Sequence, residues 1–305
     1  MNTNTPTYET ELLSAGFIDK VQRGLVKEAQ DVSSIFIRDL LREDGFLRRL
    51  FTLVPVTQDD LDLNLNGNRP MKIIEKDFHS KASYVSFKGE GERNYFEGKR
   101  FPIYFDKIET ERTTINTVEL ATYRTPIQEL FKEYNVKYMQ EQEDKMFISQ
   151  INDMINDNAA EQKTTLNYGA GKTLVDAFIK GQQMLTKLRL PMGKALMHRN
   201  TFLETLNLKI DTIGNEPLVK RFESGLDGEE SFLGVPIVTT IKDDIVKEGE
   251  IYFFSTEQFF GKFYALVDAT MTLESKADLL TWWTYEYIGM GIGNTKGAIK
   301  ITMEQ

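Results

Sequence analysis

The sequence predicts an α+β fold, because helical and strand-rich patterns occupy separate stretches of the chain. Residues 1–54 carry two amphipathic helical stripes, and residues 126–158 form one uninterrupted helical pattern. Residues 251–303 instead alternate apolar and polar side chains with the two-residue period of β-strands. Only residues 172–238 alternate helix with strand, which predicts a small α/β unit within the larger fold.

Composition excludes several classes of protein. The chain has 305 residues, of which 41% are hydrophobic and 27% charged, enough for one or two cores. Its formal net charge of −9 argues against diffuse attraction to nucleic acid or anionic lipid. The absence of cysteine excludes disulfides, thiolate metal sites and cysteine nucleophiles. With no secretory signal pattern and no apolar stretch long enough to span a bilayer, we expect a soluble intracellular protein without a membrane partner.

Residues 1–54 are predicted to form an arm, since their apolar stripes have no partner close by in the sequence. Gly45 breaks the second helix of this arm. Arg48 and Arg49 raise the question of nucleic-acid contact, but acidic residues are about as numerous as basic ones in this stretch. We therefore expect the arm to lie on another part of the protein or its assembly.

A long hairpin is predicted after the arm. Met71–Ile74, Ser83–Phe87 and Phe101–Phe105 have strand-like patterns, and a polar, glycine-bearing tip lies between them at Gly89–Gly98. A hairpin with so few residues to pack on is marginally stable alone. We expect it to project or to lie on a neighbour.

The longest element is predicted at Pro126–Asn158, entered from a strand-like stretch at Lys107–Tyr123. Thr125 offers an N-cap oxygen, and proline is tolerated at the first helical position. The helix would be roughly 45–50 Å long, more than the width of an ordinary compact domain, and would bridge two packed regions. Its apolar stripe lapses at Glu141–Lys145, so we expect this polar waist to be solvent-exposed on nearly every side.

The middle of the chain predicts the α/β unit. Ala159–Gly171 is a polar linker, and Lys172–Leu190 is a second amphipathic helix. Ala195–Met197 predicts a short buried strand, and Asn200 is placed to cap a helix at Thr201–Leu206.

Strands dominate the rest of the chain. In the strand around Trp282 and Trp283 the two indoles point to opposite faces, so one is expected in the core and the other at an interface. The predicted strands are Leu233–Val238, Ile251–Phe254, Phe263–Val267, the stretch around Met271 and Leu273, Trp282–Tyr287, and the stretch from Ile299 to Met303.

Chemistry-bearing motifs are incomplete throughout. Asn167–Thr173 resembles the end of a phosphate-binding loop, but Leu166 stands where that motif needs glycine. Gly289–Gly293 lacks the third glycine of a dinucleotide motif and predicts a bend where backbones pass closely. The two histidines, His79 and His198, show no metal-ligand spacing. We therefore predict no catalytic, cofactor-binding or metal-binding residue, and no enzyme.

The order of the elements is itself informative: a helical arm, a long hairpin, a long helix, an α/β unit and a β-rich return. The chain resembles the major capsid proteins of tailed bacteriophages, which have the HK97-like fold. The segments that carry this resemblance are Ala195–Phe202, Phe232–Val238, Trp282–Asn294 and Lys296–Ile301.

The resemblance implies a division of the chain into named parts. The long helix becomes the spine helix of a peripheral (P) domain, and the hairpin Ser83–Phe105 becomes an extended E-loop. The implied boundaries are an N-terminal arm at 1–54, the E-loop region at 55–110, the P domain at 111–164 with its spine helix at 126–158, an axial (A) domain at 165–258, and the P-domain return with its closing strands at 259–305.

The resemblance also implies a structural function, namely assembly into the pentamers and hexamers of an icosahedral phage head that encloses double-stranded DNA. The implied location is the virion capsid, after assembly in the host cytoplasm. Partners would be copies of this chain, a separate scaffolding protein because there is no room for a long scaffolding segment before the arm, a portal, decoration proteins, and packaged DNA held without base-specific contact. Cofactors are not expected. The candidate inter-subunit contacts are Arg48, Arg49, Lys88, Arg93, Tyr95, Phe96, Lys99, Trp282 and Trp283.

Two alternatives remain beside the phage capsid. The first is an encapsulin, a bacterial nanocompartment shell of the same fold, although the arm and E-loop look longer than that family needs. The second is a carbohydrate-active enzyme or binding module using Trp282, Trp283 and scattered carboxylates. Some capsid proteins form lysine–asparagine cross-links, but Lys88, Lys99 and Asn294 match no such motif residue by residue, so we expect none here.

Overall fold

The computed structural model describes residues 45–64, 67–76, 82–91, 93, 99–122, 127–167, 173–204 and 230–304. Three sheets and one helix of 31 residues make up its framework, which confirms the predicted α+β class. The helices are α1 (Phe46–Leu50), α2 (Thr117–Thr122), α3 (Ile127–Asp157), α4 (Ala159–Gln162), α5 (Leu174–Lys187), α6 (Arg199–Leu203) and α7 (Glu257–Phe260). The strands are β1 (Leu53–Pro55), β2 (Met71–Lys76), β3 (Lys99–Tyr104), β4 (Asp106–Glu109), β5 (Thr113–Asn116), β6 (Lys163–Asn167), β7 (Met192–His198), β8 (Glu230–Phe232), β9 (Val235–Thr240), β10 (Glu250–Ser255), β11 (Gly261–Lys276), β12 (Leu279–Ile292) and β13 (Ala298–Glu304).

A five-stranded sheet is built on the long antiparallel pair β11 and β12. Its order is β1-β11-β12-β4, and β5 pairs with the far end of β12. The predicted alternation holds here, because Met271, Leu273 and Trp282 all point to one buried face. That face packs on Val136 and Met139 near the middle of α3.

A six-stranded sheet, in the order β6-β13-β10-β7-β9-β8, forms the second packed region. One face is covered by α5 through Ala177, Phe178 and Leu185. The second half of α3 packs on the other face of this sheet through residues such as Ile151 and Ile155. The long helix therefore does bridge two packed regions, as its length predicted.

The borders of this second region differ from the prediction. The supposed linker at 159–171 contains α4 and β6, and β6 pairs in parallel with β13. The last strand, β13, also pairs with β10, so it belongs to the six-stranded sheet and not to the hairpin of β11 and β12. Both pairings are long-range, and strand patterns in a sequence do not specify such partners.

Several shorter predictions also need correction. The stretch at 107–123 is not one strand but contains β5, α2 and most of β4, while residues 123–126, including Thr125, lie outside the described residues. His198 caps α6, because its Nδ1 accepts the Asn200 backbone N–H at 3.2 Å, so Asn200 is not the cap. At the start of α5 the Thr173 N–H donates to the Asp176 carboxylate at 2.8 Å, an ordinary helix beginning.

The hairpin is a separate two-stranded sheet of β2 and β3, with a bridge from Asp62 to Met71 beside it. The predicted strand at Ser83–Phe87 is irregular chain. The root of the hairpin crosses β12 at two glycines that lie inside the strand and not at a bend. A Cβ on Gly289 would lie 2.9 Å from the Tyr104 carbonyl oxygen, and one on Gly291 would lie 2.6 Å from Ile103 Cδ1. The close backbone approach expected from these glycines is therefore present.

This crossing predicts the effect of Gly291→Ala. The new methyl group would overlap Ile103 and also the Tyr264 ring, whose Cε2 would lie 2.7 Å away, so we expect a loss of about 1–3 kcal/mol of unfolding free energy. Gly293→Ala is the matched control, since its nearest neighbour would lie 3.9 Å away. Urea denaturation of both variants measures the difference, and equal stabilities would contradict the crossing.

No helix among the described segments is both long and apolar enough to span a membrane.

Candidate assembly surfaces and a buried ion cluster

Residues 82–91 and 93, the described part of the chain between β2 and β3 and from here on called the hairpin tip, are exposed. Tyr84 and Phe87 have relative exposures of 109% and 103%, so neither ring packs on the subunit. Among the predicted contacts, Lys88, Arg93 and Lys99 also lie on exposed chain of this hairpin, and Arg93 is 3.8 Å from Glu90. Tyr95 and Phe96 lie outside the described residues.

Arg48 lies inside the subunit, with its side chain only 4% exposed. Its guanidinium donates to Glu143 Oε1 at 2.7 Å and Oε2 at 3.1 Å, to Asp268 at 3.0 Å and to Glu286 at 3.3 Å. Burial alone would lower the pKa of Arg48, but the charges of these three carboxylates raise it above its usual value. Arg48 therefore stays charged. Its burial inside the chain is contrary to the prediction that it contacts a neighbouring subunit.

The polar waist of α3 is buried in part, contrary to the prediction of solvent on nearly every side: Gln142 is exposed, and Glu141 and Lys145 are half-buried. Glu143 and Asp144 are completely inaccessible to solvent. Glu143 pairs with Arg48, and Asp144 accepts the Leu47 backbone N–H at 3.0 Å and the Lys242 ammonium at 2.7 Å. A buried charge costs little only when it is paired, and these partners supply the pairing.

Two carboxyl groups in this region titrate abnormally. Burial raises the pKa of Asp144 from 3.8 to about 6, although Lys242 and the Leu47 N–H oppose the shift. Burial also raises the pKa of Glu286 well above its ordinary 4.5, and the nearby charge of Glu143 adds to the effect while Arg48 opposes it.

The outer side of α1 is tied to the six-stranded sheet. Arg49 is exposed, and its guanidinium donates to the Thr239 carbonyl oxygen at 2.8 Å. The Lys194 ammonium donates to the carbonyl oxygens of Arg49 and Leu50 at 2.8 and 2.9 Å, which satisfies the C-terminal end of the helix. Residues 46–50 are thus fixed in the subunit core, whereas the sequence assigned them to a peripheral arm.

The two tryptophans separate as the alternation predicted. Trp282 is 1% exposed and packs with Met139 and Met271, so it is a core residue and not an inter-subunit contact. Trp283 is half-buried on the opposite face, where the Arg112 guanidinium lies 4.5 Å from its ring centroid. Burial of Trp282 also removes one of the two rings on which the carbohydrate-binding alternative depended.

A group at His198, Asp243 and Glu248 has side chains of the types that bind metals. His198 Nδ1 accepts the Asn200 backbone N–H at the start of α6, and Nε2 lies 2.7 Å from Asp243 Oδ1, although the two are not aligned for a hydrogen bond. Both carboxylates are exposed, and exposed acidic groups commonly cluster without a metal, so we assign no metal site here.

Sequence reasoning missed Asp268 and Glu286 altogether. Part of the signal for Glu286 was present, because residues 282, 284, 286 and 288 share one face of β12. Glu286 must be buried if Trp282 is the core member of the tryptophan pair, but the sequence left open which of the two it is. No comparable signal existed for Asp268, which lies where the register of β11 and β12 shifts.

Comparison with known proteins identifies the fold. No protein-family model matches the sequence, and no curated protein shows detectable sequence similarity to it. The mature capsid of bacteriophage PhiM1 matches with a TM-score of 0.59 at 10% identity, over 85% of this chain and 87% of that chain. A virus-like particle from Pyrococcus furiosus matches with a TM-score of 0.56 at 13% identity, over 90% and 99%. The capsid of the cyanophage P-SCSP1u matches with a TM-score of 0.55 at 12% identity, over 84% and 87%.

These similarities confirm the predicted architecture. The chain has the HK97-like capsid fold.

Proposed function

We propose that this chain is a major capsid protein, which assembles with copies of itself into the pentamers and hexamers of an icosahedral phage head around double-stranded DNA. The observation that carries the proposal is the hairpin tip, where Tyr84 and Phe87 are unburied on irregular chain. A two-stranded sheet is marginal by itself, and exposed aromatic rings of this kind mark an interaction surface.

A neighbouring subunit is the natural partner for this tip. Burying one large aromatic side chain contributes roughly 1.5–3 kcal/mol, so a subunit that lays its tip on the next gains a substantial contact. In this proposal the tip of one copy lies on a different surface of the next, which makes the contact head-to-tail, and such contacts form rings when the rotation between copies closes.

The named parts of the fold follow from this proposal. The hairpin of β2 and β3 is the E-loop, and α3 is the spine helix of the P domain together with β11 and β12. The A domain then consists of α5 and the six-stranded sheet, including β6 and β13. Of the predicted contacts, Arg49, Lys88, Arg93, Lys99 and Trp283 remain candidates, since they are exposed or half-buried in the subunit.

Further partners are part of the same proposal. A separate scaffolding protein, a portal and decoration proteins would complete the head, which would be assembled in the host cytoplasm. The net charge of −9 favours DNA held by confinement over DNA held by attraction. The role is structural and requires no catalytic site.

The double variant Tyr84→Ser/Phe87→Ser tests the proposal. We expect the purified subunit to remain folded, since neither ring packs on it, while shells visible by electron microscopy of the wild-type protein are lost or at least about tenfold fewer.

Tyr138→Ser is the control, because Tyr138 is also exposed, at 59%, but lies on α3 and not on the hairpin. Shells of the double variant that equal the wild type in number and stability would contradict the role of the tip. Wild-type protein that forms no shells, tubes or capsomers under any condition would contradict assembly itself.

A second candidate function is the shell of an encapsulin-like nanocompartment. It is favoured by the match to the virus-like particle, which covers almost the whole of that chain. The contents of purified particles distinguish the two: nuclease-protected double-stranded DNA supports the phage head, and a packaged cargo enzyme supports the compartment.

A further inference from the structure

The ion cluster around Arg48 has more acids than bases. Arg48 from α1 meets Glu143 from α3, Asp268 from β11 and Glu286 from β12, so three carboxylates share one guanidinium. The neighbouring charged pair, Asp144 on α3 and Lys242, has one negative and one positive charge and is already balanced. The excess of negative charge therefore belongs to the Arg48 group.

Hydrogen bonding shows where the imbalance lies. Both oxygens of Glu143 accept from Arg48, and Glu286 Oε2 accepts from the same guanidinium at 3.3 Å. The second oxygen of Glu286, Oε1, is buried and has no hydrogen-bond partner among the described residues. A buried carboxylate oxygen without a donor is costly, and one proton on this carboxyl pair would relieve both the repulsion and the missing hydrogen bond.

We propose that the Glu143–Glu286 pair holds one proton in the folded subunit, and that loss of this proton as the pH rises releases α1 from the long helix. The inference does not depend on shell assembly, because all four groups lie within one subunit.

The direction of the pH effect follows from the shifted group. Burial and the charge of Glu143 raise the pKa of Glu286 in the folded state, whereas the unfolded chain keeps the ordinary 4.5. A group whose folded pKa is raised stabilises fully below its unfolded pKa, and this contribution is lost as the pH rises towards the folded pKa. Asp144 causes the same loss of stability with rising pH, but its contribution is complete at about pH 6.

Loss of the proton would weaken the attachment of α1 before that of the other elements. This helix has only five residues, and on its inner side it is held by Arg48 and by the Leu47–Asp144 bond. Residues 1–44 precede α1 in the sequence and lie outside the described residues, so α1 is the first described element. The cluster therefore attaches α1, at the start of the described chain, to α3 in a proton-dependent way.

Limited trypsin digestion of the purified protein tests the proposal. Trypsin cleaves after Arg48 and Arg49 only when α1 detaches, and Arg100, with a 69% exposed side chain, is an internal reference for protease activity. Above about pH 6, where Asp144 has lost its proton, we expect the ratio of α1 cleavage to Arg100 cleavage to rise with pH, by up to about tenfold per pH unit as long as opening releases one proton.

Glu286→Gln is expected to abolish the rise, because a neutral amide needs no proton and can donate to Glu143. Asp144→Asn and Glu257→Gln are controls that should keep it. Asp144 titrates at lower pH, and Glu257, which accepts from Thr52 on the outside of the same segment, is not part of the cluster. An unchanged rise in Glu286→Gln, or a flat ratio in the wild type, would overturn the proposal.

Infrared difference spectra of the wild type provide a second readout that does not require a variant to fold. Raising the pH from neutral into the alkaline range should remove the band of a protonated, buried carboxyl group. A spectrum without such a band at either pH would also overturn the proposal.

Discussion

Replacing Arg48 by methionine is expected to lower the unfolding free energy of the subunit by about 3–5 kcal/mol. Methionine fills much of the same volume, so the loss of packing is small. The cost arises because the completely buried Glu143–Glu286 pair, which keeps a negative charge even when it holds one proton, would lose its cation. Asp268, which is 20% exposed, would lose its partner at lower cost.

Urea denaturation followed by circular dichroism measures this loss. Arg49→Met is the matched control, since Arg49 is exposed and donates to one carbonyl oxygen, and it should cost about 1 kcal/mol or less. Adding Glu286→Gln to Arg48→Met should restore part of the stability, because the neutral amide cannot become a second buried charge and can donate to Glu143. An Arg48→Met protein as stable as the Arg49→Met control would show that the cluster does not hold α1 in place.

Most regular elements were predictable from local pattern alone. The alternation of Met271 and Leu273 with polar residues predicted the buried face of β11, and that of Ile299, Ile301 and Met303 predicted β13. The uninterrupted helical pattern predicted α3, and its C-terminal end to within one residue. These predictions succeed because a period of two or 3.6 residues is a property of neighbouring positions in the chain.

Contacts between distant positions were not predictable in the same way. A run of charged residues on a helix is normally solvated, so Glu143 and Asp144 gave no sign of burial. Their burial depends on Arg48, which lies 95 residues earlier in the sequence, and on Lys242, which lies 98 residues later. The parallel pairing of β6 with β13 is hidden for the same reason.

The candidate site contains features of both kinds, those predictable from local pattern and those set by contacts between distant positions. The exposed hairpin tip follows from composition, because its residues have too few neighbours in the sequence to pack on. The interior position of Arg48 and of α1 follows instead from pairing across the fold, and a count of local charges cannot reveal it. Where the arm ends and the core begins was therefore the least predictable feature of the candidate site.

Phe51→Ala tests that border most directly and is expected to cost about 3–5 kcal/mol of unfolding free energy. Phe51 follows α1 and is 4% exposed. Its ring centroid lies 5.6 Å from that of Phe147 on α3, 5.5 Å from that of Phe254 on β10 and 5.1 Å from that of Phe260 on α7. Truncation would leave a cavity among three elements that belong to different layers of the fold, and none of them can close it alone.

Phe259→Ala is the control, because Phe259 is the same residue type on α7 but is 45% exposed, and its truncation should cost about 1 kcal/mol or less. Thermal and urea denaturation of unassembled subunits measure both variants. If residues 46–56 were a displaced arm even while the Glu143–Glu286 pair holds its proton, Phe51→Ala would be as mild as the control, and the protein would stay folded. A large, cooperative loss of stability in Phe51→Ala alone is the result expected of a core residue, and it would place the beginning of the arm before Phe46.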